Sequence, residues 1–172
     1  VLDTAGNPTI AFWDTSNTIL SLLHCGDHQC SPGNATVSVI NTLSAAAYVE
    51  QIALVLDEDG FPVIAYADHA TGSLCQFPTC PRTVVARCTD VACLAPPSVA
   101  VLNTGGSRHE IGLGPDSWPL IAYGSAQGLS VLHCSSRTCI GTNAVSVLDA
   151  GGQRLAMVLD ASGQPVIAYS SN

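Results

Sequence analysis

The chain has 172 residues, about one domain by length. Charged side chains make up 10% of it, against roughly 25% in ordinary soluble domains. Lysine is absent, and five arginines stand against 13 acidic residues for a net charge of −8. No basic patch is available to neutralise phosphates, which argues against nucleic acid and anionic membrane as partners. No apolar run is long enough to span a bilayer. Nothing resembles a signal peptide, and Val1 falls inside a predicted strand. The chain therefore reads as a processed product or a window on something longer.

In chain order the first element is a hairpin, Val1 to Phe12, with Asp3 and Gly6 at the first and fourth positions of its turn, Pro8 after it, and the apolar run Ile10-Ala11-Phe12. A strand follows at Ile19 to His24, then Cys25 and Cys30, then a strand at Thr36 to Ile40. The set recurs. The second hairpin, Leu54 to Tyr66, has Asp57, Gly60 and Pro62, and is followed by Val84 to Arg87, Cys88, Cys93 and Ser98 to Leu102. The third, Ile111 to Tyr123, is followed by Leu129 to His133, Cys134, Cys139 and Val145 to Leu148. Of the fourth only the hairpin is present, Met157 to Tyr169, with Asp160, Gly163 and Pro165.

Each residue type has a physical role. Aspartate at the first turn position and glycine at the fourth suit a turn that needs a positive φ. Proline opening a strand loses little by lacking an N–H. The runs Val63-Ile64-Ala65-Tyr66, Leu120-Ile121-Ala122-Tyr123 and Val166-Ile167-Ala168-Tyr169 do not alternate with polar residues, so they read as strands buried on both faces. The third turn, Gly114-Pro115-Asp116-Ser117, breaks the pattern and is expected to differ.

Each unit is thus a four-stranded antiparallel meander. Measured at Ala11, Ala65, Ala122 and Ala168, the spacings are 54, 57 and 46 residues. The longer units carry insertions around Leu43 to Tyr48 and Leu74 to Pro81. Four-stranded units at a period of about 45 residues are the mark of a β-propeller, and they bury their faces only against one another. The expected organisation is one repeat array over residues 1–172, in units of about 1–49, 50–108, 109–152 and a partial 153–172. It is an all-β fold of about three blades and part of a fourth.

The pattern G-x-P-x-I-A-[FY] followed by L-S-[LV]-L-H-C-x4-C resembles blade repeats of secreted and cell-surface β-propeller proteins of bacteria, over nearly the whole chain. That resemblance implies fold and compartment rather than activity. The Gly-His and Trp-Asp signature of WD40 repeats is absent, as is the S-x-D-x-G-x-x-W box of sialidases.

The eight cysteines fall into four C-x4-C pairs: Cys25 with Cys30, Cys75 with Cys80, Cys88 with Cys93, and Cys134 with Cys139. An even count at repeated spacing reads as disulfides formed in an oxidising compartment, each stapling a short loop. Three pairs hold the same place in the repeat, and Cys75 and Cys80 lie in the insertion of the second unit. A structural metal needs four ligands converging tetrahedrally; pairs on separate blades do not converge, although His24 and His133 precede Cys25 and Cys134. No metal and no cofactor are expected.

His69 follows Asp68, and His109-Glu110 opens a strand, but neither has a partner identifiable from spacing, and no G-x-S-x-G is present. The run Asp57-Glu58-Asp59-Gly60 resembles part of a calcium loop, but its counterparts lack the second carboxylate, so the turn reading wins. Tyr66, Tyr123 and Tyr169 are repeat positions and read as packing between blades. Trp118, at a turn tip where an exposed aromatic is unusual, is the candidate contact for a ligand or second subunit. Asn34-Ala35-Thr36 is a glycosylation acceptor sequence.

Three blades are fewer than the four to eight or so of a closed propeller, so the ends expose apolar faces that something outside these residues must cover. The leading expectation is a non-catalytic extracellular structural protein that assembles with copies of itself into a ring or fibre through blade-to-blade packing. The alternative is a lectin-like or adhesive propeller that binds carbohydrate through loop residues. An enzyme is not expected, because no acid, base or nucleophile is placed.

Overall fold

The computed structural model describes residues 1–42, 48–69, 81–125, 127–152 and 154–171. The insertions expected around Leu43 to Tyr48 and Leu74 to Pro81 fall mainly outside these residues. The disulfide expected between Cys75 and Cys80 lies outside them entirely. Of the four expected cysteine pairs, the three at repeat positions are observed as disulfides. The described residues form thirteen strands and no helix.

The strands make four antiparallel sheets in chain order. The first is β1 (Thr9–Asp14), β2 (Ile19–Cys25) and β3 (Ala35–Thr42). The second is β4 (Val49–Leu56), β5 (Pro62–Asp68), β6 (Arg82–Arg87) and β7 (Ser98–Gly105). The third is β8 (Ser107–Leu113), β9 (Pro119–Ser125), β10 (Gly128–His133) and β11 (Ala144–Asp149). The fourth is the pair β12 (Arg154–Leu159) and β13 (Pro165–Ser170). The second and third are the four-stranded meanders that the repeat predicts. In the first, Leu2 and Pro8 form a bridge ahead of β1.

All four hairpin turns share one backbone. In the second, the Gly60 N–H donates to the Asp57 carbonyl at 2.9 Å, and the Asp57 N–H to Phe61 at 2.9 Å. The Asp57 carboxylate accepts the N–H of Asp59 and of Phe61, which satisfies donors that the hairpin leaves over. Gly6, Gly60 and Gly163 hold φ of 83°, 78° and 74°. The third turn was expected to differ and does not. Ser117 donates to the Gly114 carbonyl at 2.9 Å and takes φ 64° in the glycine's place. What moved is the carboxylate: Asp116 accepts the Trp118 N–H from inside the turn. The strand pairing on either side imposes the turn, and the serine adopts it at a cost.

The core lies between sheets, because the second strand of a unit is apolar on both faces. Every residue of β5 is buried. Ile64 and Tyr66 face the first sheet and pack with Leu20, Leu22 and Ile40. Val63 and Ala65 face the third sheet and pack with Ile121, Tyr123 and Leu132. At roughly 1.5–3 kcal/mol for each large side chain fully buried, these contacts are the main source of stability. The disulfides Cys88–Cys93 and Cys134–Cys139 join the same clusters, and Cys25–Cys30 repeats them in the first sheet. In each, the second cysteine takes a left-handed backbone, with φ of 53°, 53° and 55° at Cys30, Cys93 and Cys139.

Tyrosine hydroxyls align the sheets. The Asn41 amide of β3 donates to the Tyr66 hydroxyl at 2.8 Å. The Tyr123 hydroxyl lies against Thr104 of β7 and Ser130. The Tyr169 hydroxyl donates to Asp149 of β11. Burial pushes the Tyr66 hydroxyl up to about 12, so it stays protonated. Tyr66 and Tyr123 pack between units as expected; Tyr169 is 42% exposed, and the run Val166-Ile167-Ala168-Tyr169, expected to be buried on both faces, lies at the surface.

Two substitutions test this account. Ser117→Gly removes a strained left-handed serine and should raise stability by about 0.5–1 kcal/mol in urea unfolding. A Cβ at Gly124 would run into the Gly152 carbonyl, where the chain enters the fourth sheet. Gly124→Ala should therefore speed hydrogen exchange on β12 and β13 while leaving β5 and β6 protected.

Candidate functional site

At the turn end of the sheets a repeated pair explains a position that the cysteine spacing left puzzling. The residue before the first cysteine reaches the turn carboxylate of its own unit. His24 Nε2 stands 3.7 Å from Asp3 Oδ2. Arg87 Nε donates to Asp57 Oδ2 at 2.8 Å. His133 Nε2 lies 3.1 Å from Asp116. The histidines next to Cys25 and Cys134 thus serve the turns, while the sulfurs are joined in disulfides. Backbone N–H groups, the Asn7 N–H first, hold the Asp3 carboxyl below its ordinary value. At Asp116 partial burial pushes upward, but the Trp118 N–H and His133 outweigh it and the carboxyl also sits low.

Between the second and third sheets the pairs merge into a cluster. Arg137, from the Cys134–Cys139 loop, bonds Glu58 and reaches Asp59 Oδ2 at 2.8 Å; Arg87 approaches the same carboxylate at 3.4 Å. Arg87 also lies 5.6 Å over the Phe61 ring. The oxygens of the Asp57-Glu58-Asp59 run are therefore held by two guanidinium groups, which agrees with the turn reading over the calcium one. Among the described residues no group of three or more His, Cys, Asp or Glu is arranged to hold a metal ion.

Trp118 was expected to be exposed at a turn tip. It is half-buried at the base of the third turn, its ring 6.5 Å from the His133 ring. It occupies the place that Phe61 holds beside Arg87, so the aromatic and the cation before the cysteine form one repeated unit. Position in the repeat carried that signal, because Phe61 and Trp118 each directly precede the hairpin proline. Trp13, the other tryptophan, packs against the core between the first two sheets. At the acceptor sequence, Asn34 is exposed, but its Nδ2 donates to Asp27 at 2.8 Å and its carbonyl accepts the Gly26 N–H. The corresponding Asn143 closes the third cystine loop through Ser135 and Cys139.

His109 makes a contact with the look of catalysis. Its Nε2 lies 2.8 Å from Thr83 Oγ1. Both side chains are sealed, at 0% and 4% exposure for Thr83 and His109, and Nδ1 has no partner to orient it. Burial pushes the imidazole down to about 4, so it is neutral at physiological pH. The arrangement ties the second sheet to the third and is closed to a substrate. His69 stacks on Tyr48 at 4.2 Å with Glu50 3.2 Å from its Nε2, and Asp68 is paired with Arg82. A cleft of about 390 Å³ runs along the leading strands, lined by Thr9, Gln51, His109 and Glu110 among others.

No protein-family model matches the chain, and no curated protein is detectably similar to it in sequence. Three disulfides are the chemistry of an oxidising environment, and no helix among the described residues is long and apolar enough to cross a membrane. The expected fourth pair, Cys75 with Cys80, adds nothing to that inference, since both cysteines lie outside the described residues.

Removing one member of the buried pair separates it from the rim. The side chains of Asp57 and Arg87 are 2% and 13% exposed, whereas Arg137 is 40% exposed. Arg87→Ala strands a buried carboxylate and should cost about 3 kcal/mol in urea unfolding. Arg137→Ala should cost less than about 1 kcal/mol.

Proposed function

We propose that the four sheets are blades of β-propeller type, and that the chain is a secreted or cell-surface structural protein without catalytic activity. It assembles with further copies of itself by packing end sheet on end sheet. One comparison carries this reading. Ile64 and Tyr66, and Ile121 and Tyr123, are 0%, 0%, 0% and 3% exposed, whereas their counterparts Ile10 and Phe12 on the first sheet are 46% and 37% exposed. With Val37 and Val39 on the same face of that sheet, they form an apolar surface of the kind that a neighbouring sheet covers elsewhere in the chain. At the other end Val166 is 54% exposed where its counterpart Val63 is 1% exposed.

The two end faces repeat the two sides of an internal contact, so a second copy can meet the first head to tail. Such a contact closes as a ring or continues as a fibre. At about 25 cal/mol per Å² of apolar surface, a few hundred Å² contributes several kcal/mol before the costs of association. A lectin-like role has less support, because Trp118 is engaged with His133.

Sedimentation of the 172-residue chain tests the proposal. Mass should rise with concentration through the micromolar range. Phe12→Asp and Val166→Asp should each abolish growth alone, while an equimolar mixture of the two should form dimers and nothing larger, since each variant keeps one working face. A chain that stays monomeric throughout would refute self-assembly.

A further inference from the structure

The second and third sheets meet through a polar pair at two positions that are apolar in the neighbouring units. Thr83 lies five residues before Cys88, the place that Leu20 holds before Cys25 and Leu129 before Cys134. His109 lies 13 residues before Ala122, the place that Ile52 holds before Ala65 and Leu155 before Ala168. At the junction of the first two sheets, Leu20 and Ile52 belong to one apolar cluster. At the next junction Thr83 and His109 are both buried and bond to each other at 2.8 Å. An apolar pair fills such a space without needing partners, so packing alone does not call for a histidine here.

The hydrogen bonds fix where the imidazole carries its proton. The Thr83 hydroxyl donates its one proton to the Thr104 carbonyl at 3.1 Å, so its oxygen accepts from His109 Nε2. A neutral ring protonated at Nε2 has a bare lone pair at Nδ1. That atom is buried, with no hydrogen-bond partner among the described residues. A proton taken up there would create a second N–H and a charge in a sealed space with no acceptor for either. Tyr123 of β9 stacks on the ring, with centroids 6.2 Å apart. Arg82 of β6 is paired with Asp68 of β5, and Glu50 of β4 with His69. On β8 itself Arg108 is exposed and Glu110 half-buried, and Arg154 of β12 is exposed; β7 carries no titratable side chain. Burial alone, and none of these charges, lowers the affinity of the ring for a proton.

We propose that the Thr83–His109 contact is an acid-sensitive latch between the second and third sheets. At neutral pH the uncharged ring holds the junction closed. In mild acid the ring takes a proton only by leaving its sealed place, and the third sheet loosens from the second. The junction of the first two sheets has Leu20 and Ile52 at these positions and holds. In the closed state the ring titrates at about 4, against an ordinary value of 6.5. The open state therefore binds the proton first. The latch contributes its full stability above about pH 6.5 and loses it as the pH falls toward 4. Partial burial raises the Glu110 carboxyl, which gives that group the opposite dependence. The latch does not depend on self-assembly.

Two measurements test the latch: NMR titration of the His109 ring, and strand-resolved hydrogen exchange at pH 7 and pH 5, corrected for the intrinsic rate at each pH. The ring should titrate below about pH 5. Protection of β8 and β9 should fall about twentyfold between the two pH values, while β1 to β3 keep theirs. Thr83→Leu combined with His109→Ile installs the pair found at the first junction. His109→Gln keeps an amide donor for Thr83 without a titrating ring. Both variants should keep the same protection at pH 5 as at pH 7. If a variant does not fold by circular dichroism, the ring titration and the strand pattern of the wild-type chain decide. A ring that titrates near its ordinary value, an acid loss spread evenly over all the sheets, or the same acid loss in the folded variants would overturn the proposal.

Discussion

A strand that is apolar on both faces has no side to give to water, and the rest of the structure follows from that. β5 cannot form the surface of anything. Ile64 and Tyr66 on one face and Val63 and Ala65 on the other each need a sheet against them. One sheet therefore calls for two neighbours, and each neighbour built on the same repeat calls for another. Ile10, Phe12 and Val166 meet solvent at positions whose counterparts are sealed between the middle sheets.

Apolar packing is non-directional and would let the sheets slide. Polar contacts fix their alignment. The hydroxyls of Tyr66 and Tyr169 reach the far end of the preceding sheet's last strand, and that of Tyr123 lies against it. At the opposite end Arg137 bridges from the third sheet to the turn of the second. Between these, the buried contact of Thr83 with His109 ties the sheets near their leading strands. Of the five arginines, Arg87 and Arg137 serve the second turn, and Arg82 pairs with Asp68 on the neighbouring strand.

Much of this was legible in the residues because the signals are local and repeated. The strand positions, the proline at each strand start and the three cystine loops at repeat positions come from short-range spacing. Where reading failed, the cause lay in contacts between distant residues. The Ser117 turn was expected to differ because its residues do, yet strand pairing on both sides imposes the common backbone. Trp118 was expected at the surface because a turn tip is normally exposed, but His133, from the next strand pair, comes beneath it. The histidines before Cys25 and Cys134 suggested ligands, and only their approach to Asp3 and Asp116 gave them a role.

The all-β class, the repeated hairpins and the pairing of the cysteines at repeat positions are readable from the residues, since each depends on positions within about one unit of each other. Which faces are buried and which are left open depends on the packing of one sheet on the next. Ile10 and Ile64 stand at equivalent places in the repeat, and nothing local separates them. The presence of a sheet in front of one and not the other does. The same holds for the arginines: all five look alike as letters, yet Arg82 and Arg87 find carboxylates within their own unit, and only the stacking of sheets brings Arg137 to Glu58 and Asp59.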